Sequence, residues 1–252
     1  MSNKIIIKTP SEIKLMQEGG EKLARIKKIL AKEIKEGVSA DEIEKIATKL
    51  IEKEGCKPSF KMVPNYHWST CINVNQGIVH GIPRKDVVFK KGDIVSVDIG
   101  VFYKGFHTDS SFTLGINLNK EKRDFLKVGE MALREAIGKA FIGNRIYDLS
   151  FAIESVVRRG GFNPVRALVG HGVGRDLHEE PQIPCFADPT QAEYSPKILE
   201  GMTLAIEVMY SQGSGNIFIE KDGWTISSSD GKITALFEET IAITKKGPLI
   251  LT

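Results

Sequence analysis

Residues 94–114 read Ile-Val-Ser-Val-Asp-Ile-Gly-Val-Phe-Tyr-Lys-Gly-Phe-His-Thr-Asp-Ser-Ser-Phe-Thr-Leu. Two strand-forming runs, Ile94 to Val101 and Thr108 to Leu114, flank Lys104-Gly105, a dipeptide suited to a two-residue turn, so the stretch reads as a β-hairpin. A turn there pairs residue i with residue 209 − i, so Gly100 faces Asp109 and Asp98 lies diagonally across from Asp109 on the same face. Diagonal neighbours lie roughly 7–8 Å apart, close enough for both carboxylates to reach one metal cluster. Two uncompensated acids would repel, and Asp is depleted in strands. The plain alternative is a pair of solvent-facing strand acids, but Asp98 sits within an apolar run, which favours metal ligands.

Upstream, Thr9-Pro10-Ser11-Glu12 reads as a helix start with a capping box, followed by one apolar face at Ile13, Met16, Leu23, Ile26, Leu30 and Ile34. Ser39 and Glu42 form a second box. Ile43, Ile46, Ala47, Leu50 and Ile51 give the next helix its buried face, and Gly55 ends it. The many lysines here read as the wet faces of helices rather than a binding patch. Downstream, two more helices are expected at roughly 120–140 and 146–159, with strands resuming near Ala167. Helix pairs alternating with strand groups give an α+β class, the helices packed on one face of a mostly antiparallel sheet.

The second half echoes the first. Gly37, Ile43, Gly55 and Pro58 match Gly143, Leu149, Gly161 and Pro164 at an offset of 106; Gly92 to Asp98 matches Gly201 to Glu207 at 109; His80 to Pro83 matches His178 to Pro181 at 98. Chance could account for the helical matches. The strand matches pair an acid with an acid and a histidine with a histidine. The pseudo-repeat halves run from about 11 to 115 and from about 120 to 250, within one domain spanning 1–252. An internal two-fold axis would bring the acids together, and like-charged carboxylates bury together only around cations.

Glu207 and Glu238 each sit in an apolar strand, although periodicity cannot choose between Glu238 and Glu239, which point to opposite faces. His171 lies in Gly170-His171-Gly172-Val173-Gly174, where the glycines suit a backbone that approaches something closely; the phosphate-loop alternative lacks a following Lys-Ser/Thr. His171 corresponds to Asn73, so the site would be symmetric in its four carboxylates and asymmetric in one imidazole. Such a set suits two divalent ions of Mn, Fe, Co or Zn better than Mg.

The 252 residues suffice for a sizeable core, and 41% hydrophobic with 27% charged content is ordinary for a soluble protein. A net charge of +3 gives no argument for a nucleic-acid partner. The apolar run Ile5 to Ile7 within Met1 to Pro10 is too short for a signal-peptide core, and no stretch approaches a membrane span. Three cysteines, Cys56, Cys71 and Cys185, with no close pair point to a reducing compartment, the cytoplasm.

His80-Gly-Ile-Pro83, Gly92-Asp93, Asp98, Gly105-Phe106-His107, Asp109, Gly170-His171-Gly172, His178-Glu179-Glu180-Pro181, Gly201-Met202-Thr203, Glu207 and Phe237-Glu238 together resemble the type I methionine aminopeptidase family, over residues 11 to 250. The resemblance implies the pita-bread fold, with duplicated halves and an antiparallel sheet covered by two helix pairs. It implies that Asp98, Asp109, His171, Glu207 and Glu238 hold two divalent ions, with Asp109 and Glu238 bridging, and so selects Glu238 over Glu239. A metal-activated water would attack the methionyl peptide bond, with Glu207 as proton shuttle, His178 on the scissile carbonyl and His80 on the substrate's backbone nitrogen. Phe60, Tyr66, Cys71, Leu177 and Trp224 match the family's methionine pocket, although core packing is the plain alternative for each. His107 is expected to pack or support rather than ligate. The implied substrate is the initiator methionine of nascent polypeptides with a small second residue. Transient ribosome contact and a monomeric state would follow.

The sequence departs from the family at Val208, where proline is usual after the metal glutamate, at Glu239, where histidine is common, and at Leu177, in place of an aromatic. The segment Lys61 to Thr70, with His67 and Trp68, fits poorly. Two rival readings are an X-Pro peptidase of the same fold, which typically carries an additional N-terminal domain, and a non-catalytic, partner-binding relative, which usually loses ligands.

Overall fold

The computed structural model describes residues 4–252, so Met1 to Asn3, the opening of the Met1–Pro10 stretch and of the 1–252 span, lie outside the described residues. Helix α1 (Pro10–Glu33) begins as its capping box requires: Thr9 N–H donates to Glu12 at 2.8 Å, and Glu12 N–H returns to Thr9 Oγ1 at 3.3 Å. Ser39 and Glu42 open α2 (Ala40–Lys53) in the same way. The first half continues with β1 (Lys57–Pro58), β2 (Thr70–Val74), β3 (Gly77–Val79), β4 (Ile94–Tyr103) and β5 (Phe106–Gly115). The second half repeats the order with α3 (Lys120–Ile137), α4 (Ile146–Arg159), β6 (Asn163–Pro164), β7 (Val169–Gly172), β8 (Glu179–Pro184) and β9 (Thr203–Ser211). It then adds β10 (Ile217–Ile219), β11 (Ile226–Ser228), β12 (Thr234–Thr244) and β13 (Gly247–Ile250). The third helix stops short of the expected residue 140, with Gly138 as its C-cap.

The hairpin β4–β5 has the expected register, Gly100 opposite Asp109 and Asp98 opposite Ser111. Lys104 and Gly105 take φ of 47° and 91°, both in the left-handed region that a tight hairpin turn needs. One ten-stranded antiparallel sheet runs β1-β4-β5-β12-β9-β7-β8, with β2 also on β4, β6 on β9 and β13 on β12. The order is nearly palindromic about the β5–β12 pair. The duplication extends to hydrogen bonding: Pro58 pairs with Val101 and Pro164 with Tyr210, while Asn73 pairs with Ser96 and His171 with Ala205.

Both helix pairs cover one face of the sheet. Leu23, Ile26 and Leu30 of α1, with Ile43, Ala47 and Ile51 of α2, pack on Val95, Val97, Ile99 and Val101 of β4. Leu149, Ile153 and Val157 of α4 join Leu204, Ile206 and Val208 of β9. In α3, Gly129 lies so close to the sheet that a Cβ would fall 2.5 Å from the Phe237 ring. The strand residues alternating with these apolar ones point the other way, into the cavity described below. A small sheet, β10-β11-β3, adds to the expected architecture; its strands of three residues are too short to show a period.

Candidate metal centre and substrate pocket

The acids lie in a row across four strands. Asp98 on β4 is opposite Ser111 on β5, Ser111 is opposite Glu238 on β12, and Glu238 is opposite Glu207 on β9. Asp109 is two residues from Ser111 on the same face. The four carboxylates are therefore not strictly symmetric, in correction of the expectation. Ser111 and Glu238 occupy equivalent register positions, and Asp109 lies one pair further along β5, where β12 has Leu236. Glu239 points to the helix side and takes Lys27 of α1 at 2.9 Å.

His171 projects from β7, beside β9. Its Nδ1 lies 2.8 Å from the Gly172 carbonyl oxygen, which can only accept, so Nδ1 carries the proton and Nε2 is a bare lone pair. Burial, reinforced by nearby His178, holds this imidazole neutral, with its pKa pushed down to about 3. Nε2 faces Glu207 Oε1 at 3.5 Å. Ligand atoms of Asp109, His171 and Glu238 lie within 4.8 Å of one another, all three residues buried.

Without a cation this arrangement is unfavourable. A lone pair faces a carboxylate oxygen, and Asp98 Oδ1 and Glu238 Oε1 are buried without a hydrogen-bond partner. Burial first, and then neighbouring carboxylates, push Asp98, Glu207 and Glu238 well above the usual carboxylate range. Burial pushes Asp109 up to about 7, against the Ser110 N–H and the Asp98 side chain. Divalent ions would relieve each of these penalties, and a donor set of oxygens with one imidazole nitrogen suits them. The residues fit a metal centre.

The same cavity, about 130 Å³, is lined by all five expected metal ligands, by His80 and His178, and by the five expected pocket residues. His80 and His178 line it and remain open to solvent, so its walls lower their pKa without the full desolvation that acts on His171. His80 takes φ of 57°. The His178 ring packs edge-on to that of His171, centroids 4.5 Å apart. Beside the acids, Phe60, Tyr66, Cys71 and Leu177 form a buried apolar cluster against which Trp224 packs. The Tyr66 hydroxyl donates to the Thr70 carbonyl at 2.8 Å and lies 3.2 Å from Cys71 Sγ, so Tyr66 has its hydroxyl engaged within this wall.

His107 lies outside the cavity, as expected, with Nδ1 2.8 Å from Ser59 Oγ. Sequence reasoning missed Val63 and Val79, which line the cavity, and Trp68, whose ring stands edge-on to Tyr66 at 5.3 Å. It also missed Thr240, whose Oγ1 accepts from Asp109 N at 2.9 Å and donates to Asp109 O at 2.7 Å, fixing that residue's backbone. Only the strand pairing could have revealed Thr240.

The sequence profile of metallopeptidase family M24 matches residues 14–245. Methionine aminopeptidase 1 of Bacillus subtilis is 43% identical over 249 residues, covering 98% of this chain and 99% of that one. The crystal structure of methionine aminopeptidase from Thermotoga maritima superposes with a TM-score of 0.95 at 41% identity, covering 99% of each chain. Prolidase from Pyrococcus furiosus, at TM-score 0.75 and 23% identity, covers 98% of this chain and 65% of that one, a likeness of fold alone.

Proposed function

The chain belongs to metallopeptidase family M24, and we propose that it hydrolyses the amino-terminal methionine from newly made polypeptides whose second residue is small. The observation that carries this reading is the convergence of four acids and one neutral imidazole on a cavity with an apolar, sulfur-containing wall. Asp98, Asp109, His171, Glu207 and Glu238 would hold two divalent ions of Mn, Fe, Co or Zn, Asp109 and Glu238 serving both. Such ions supply Lewis-acid polarisation of the scissile carbonyl and lower the pKa of water.

The protein's own groups do the rest. The Glu207 carboxylate takes a proton from the attacking water and passes it to the departing amine. His178 donates a hydrogen bond to the carbonyl oxygen as negative charge develops there. His80, also on the cavity wall, hydrogen-bonds the substrate's backbone nitrogen. Phe60, Tyr66, Cys71, Leu177 and Trp224 enclose the methionine side chain in an apolar, polarisable wall suited to a thioether. The protein acts as a cytoplasmic monomer with transient ribosome contact. Its three cysteines are free, and among the described residues no helix is long and apolar enough to cross a membrane.

The test compares Met-Ala-Ser with an Ala-Pro peptide on metal-loaded protein. Release of methionine from the first alone is expected. Cleavage of the second alone would replace this reading with that of an X-Pro peptidase.

A further inference from the structure

One ion pair differs in kind from the surface pairs. Lys8 and Glu179 are each 2% exposed at the side chain, whereas Lys120 and Asp124 are 85% and 44% exposed. The buried pair joins positions 171 residues apart. Lys8 belongs to the arm preceding α1, and its N–H donates to Gly201 O at 2.8 Å. Glu179 opens β8 and directly follows His178. Lys8 Nζ also donates to Ile6 O at 3.2 Å, and the other Glu179 oxygen accepts from Asp176 N at 3.3 Å.

The loop 174–178 is pinned from three sides. The Gly174 carbonyl accepts from His107 N at 2.7 Å, and Arg175 reaches Glu12 of α1 at 2.7 Å. The Lys8–Glu179 pair closes the third side. A Cβ on Gly174 would fall 2.3 Å from Lys8 Cε and 2.6 Å from Glu179 Oε1, so the pair packs directly on the loop backbone. Among the described residues no hydrogen bond holds the His178 ring itself, so its direction rests on its edge-on packing against His171 and on the backbone that carries it. A buried ion pair is a poor device for stability alone, because an apolar pair of similar volume does as well. What it fixes is mutual position.

We propose that Lys8 and Glu179 are positioning residues for His178: the ion pair locks the arm to the loop, so that the imidazole points at the scissile carbonyl. This rests on the role given to His178 above. Burial pushes the Lys8 ammonium below its ordinary pKa and Glu179 opposes the shift, as a tight pair would.

The test is a cycle on metal-loaded enzyme with Met-Ala-Ser. The Lys8→Met/Glu179→Gln double variant removes both charges and leaves no orphaned ion. Its kcat should fall roughly 10-fold or more, toward the ~10²-fold that an ångström of misplacement costs, with KM near wild type. In a His178→Ala background the same pair of changes should alter kcat less than about twofold, since no imidazole remains to be positioned. Glu179→Gln alone keeps an acceptor for Lys8 and should give a smaller loss of the same kind, a second readout should the double variant fold poorly. An equal loss in both backgrounds, or no loss beside an intact His178, would overturn the proposal. A wild-type rate for His178→Ala would instead overturn the role of His178, and the proposal with it.

Discussion

At the scale of single residues, the site is a set of groups that are unfavourable apart from a cation. Asp109 is buried, its carboxyl lifted to about 7, and its backbone is held at both N–H and carbonyl by Thr240. Asp109→Ala should bind less metal by metal analysis and lose turnover to below detection, because in the proposed ligand set this acid would serve both ions. Near-normal turnover would refute the ligand set. His178→Ala should keep its metal and lose kcat by ~10²-fold, the range for one lost oxyanion donor. An unchanged rate would remove His178 from the chemistry. Asp98 and Asp109 were legible in the sequence because a two-residue turn fixes register, and register fixes which side chains share a face. Lys8 and Lys27 were not legible as partners of Glu179 and Glu239. Contacts across 171 and 212 residues leave no local trace.

At the scale of elements, the segment Lys61 to Thr70, which fits the family pattern poorly, is anchored by a buried acid. Glu44 of α2 accepts from Ser69 N at 2.8 Å, Thr70 N at 3.0 Å, Thr70 Oγ1 at 2.7 Å and Thr48 Oγ1 at 3.1 Å. Two of those residues, Ser69 and Thr70, lie within the stretch from Tyr66 to Cys71, whose ends belong to one wall of the apolar pocket. Glu44→Gln turns an amide N–H toward groups that are themselves donors, which should cost about 1–3 kcal/mol of stability. With the wall loosened, KM for Met-Ala-Ser should rise several-fold while kcat changes less. A fall in kcat at constant KM would contradict this assignment. The capping boxes of α1 and α2 were readable because they are local chemistry. The β10-β11-β3 sheet was not, since three-residue strands exist through their partners rather than through a pattern of their own.

At the scale of the whole molecule, duplication places the acids on either side of the β5–β12 seam. The repeat was readable in the matched glycines and in the acid pair Asp98 and Glu207. Its failure at Asp109 was not, because strand register across the seam has no counterpart in linear spacing. The carboxyl cluster also gives metal-free protein a defined pH response. In the folded state these groups keep protons that the unfolded chain has lost, so the unfolded state binds fewer protons and stability falls as pH rises. The buried histidines act in the opposite sense, but only below about pH 6.5, where the unfolded chain's imidazoles protonate. From about pH 6.5, where the histidines no longer oppose it, up to about 7, the value to which Asp109 is lifted, chelated protein should lose up to about 1.4 kcal/mol per pH unit for each proton the folded state still holds, roughly 2–4 °C of melting temperature per kcal/mol. Metal-loaded protein should not, since ligation keeps the carboxylates ionised. A flat profile in both forms would argue that the cluster is solvated rather than buried.

The most direct test of the account strips the protein with a chelator and follows methionine release from Met-Ala-Ser as Mn, Fe, Co or Zn is added back. Silence without metal, and recovery that saturates near two equivalents of an activating ion, are expected. Full activity in stripped protein, or silence with every metal in folded protein, would contradict it.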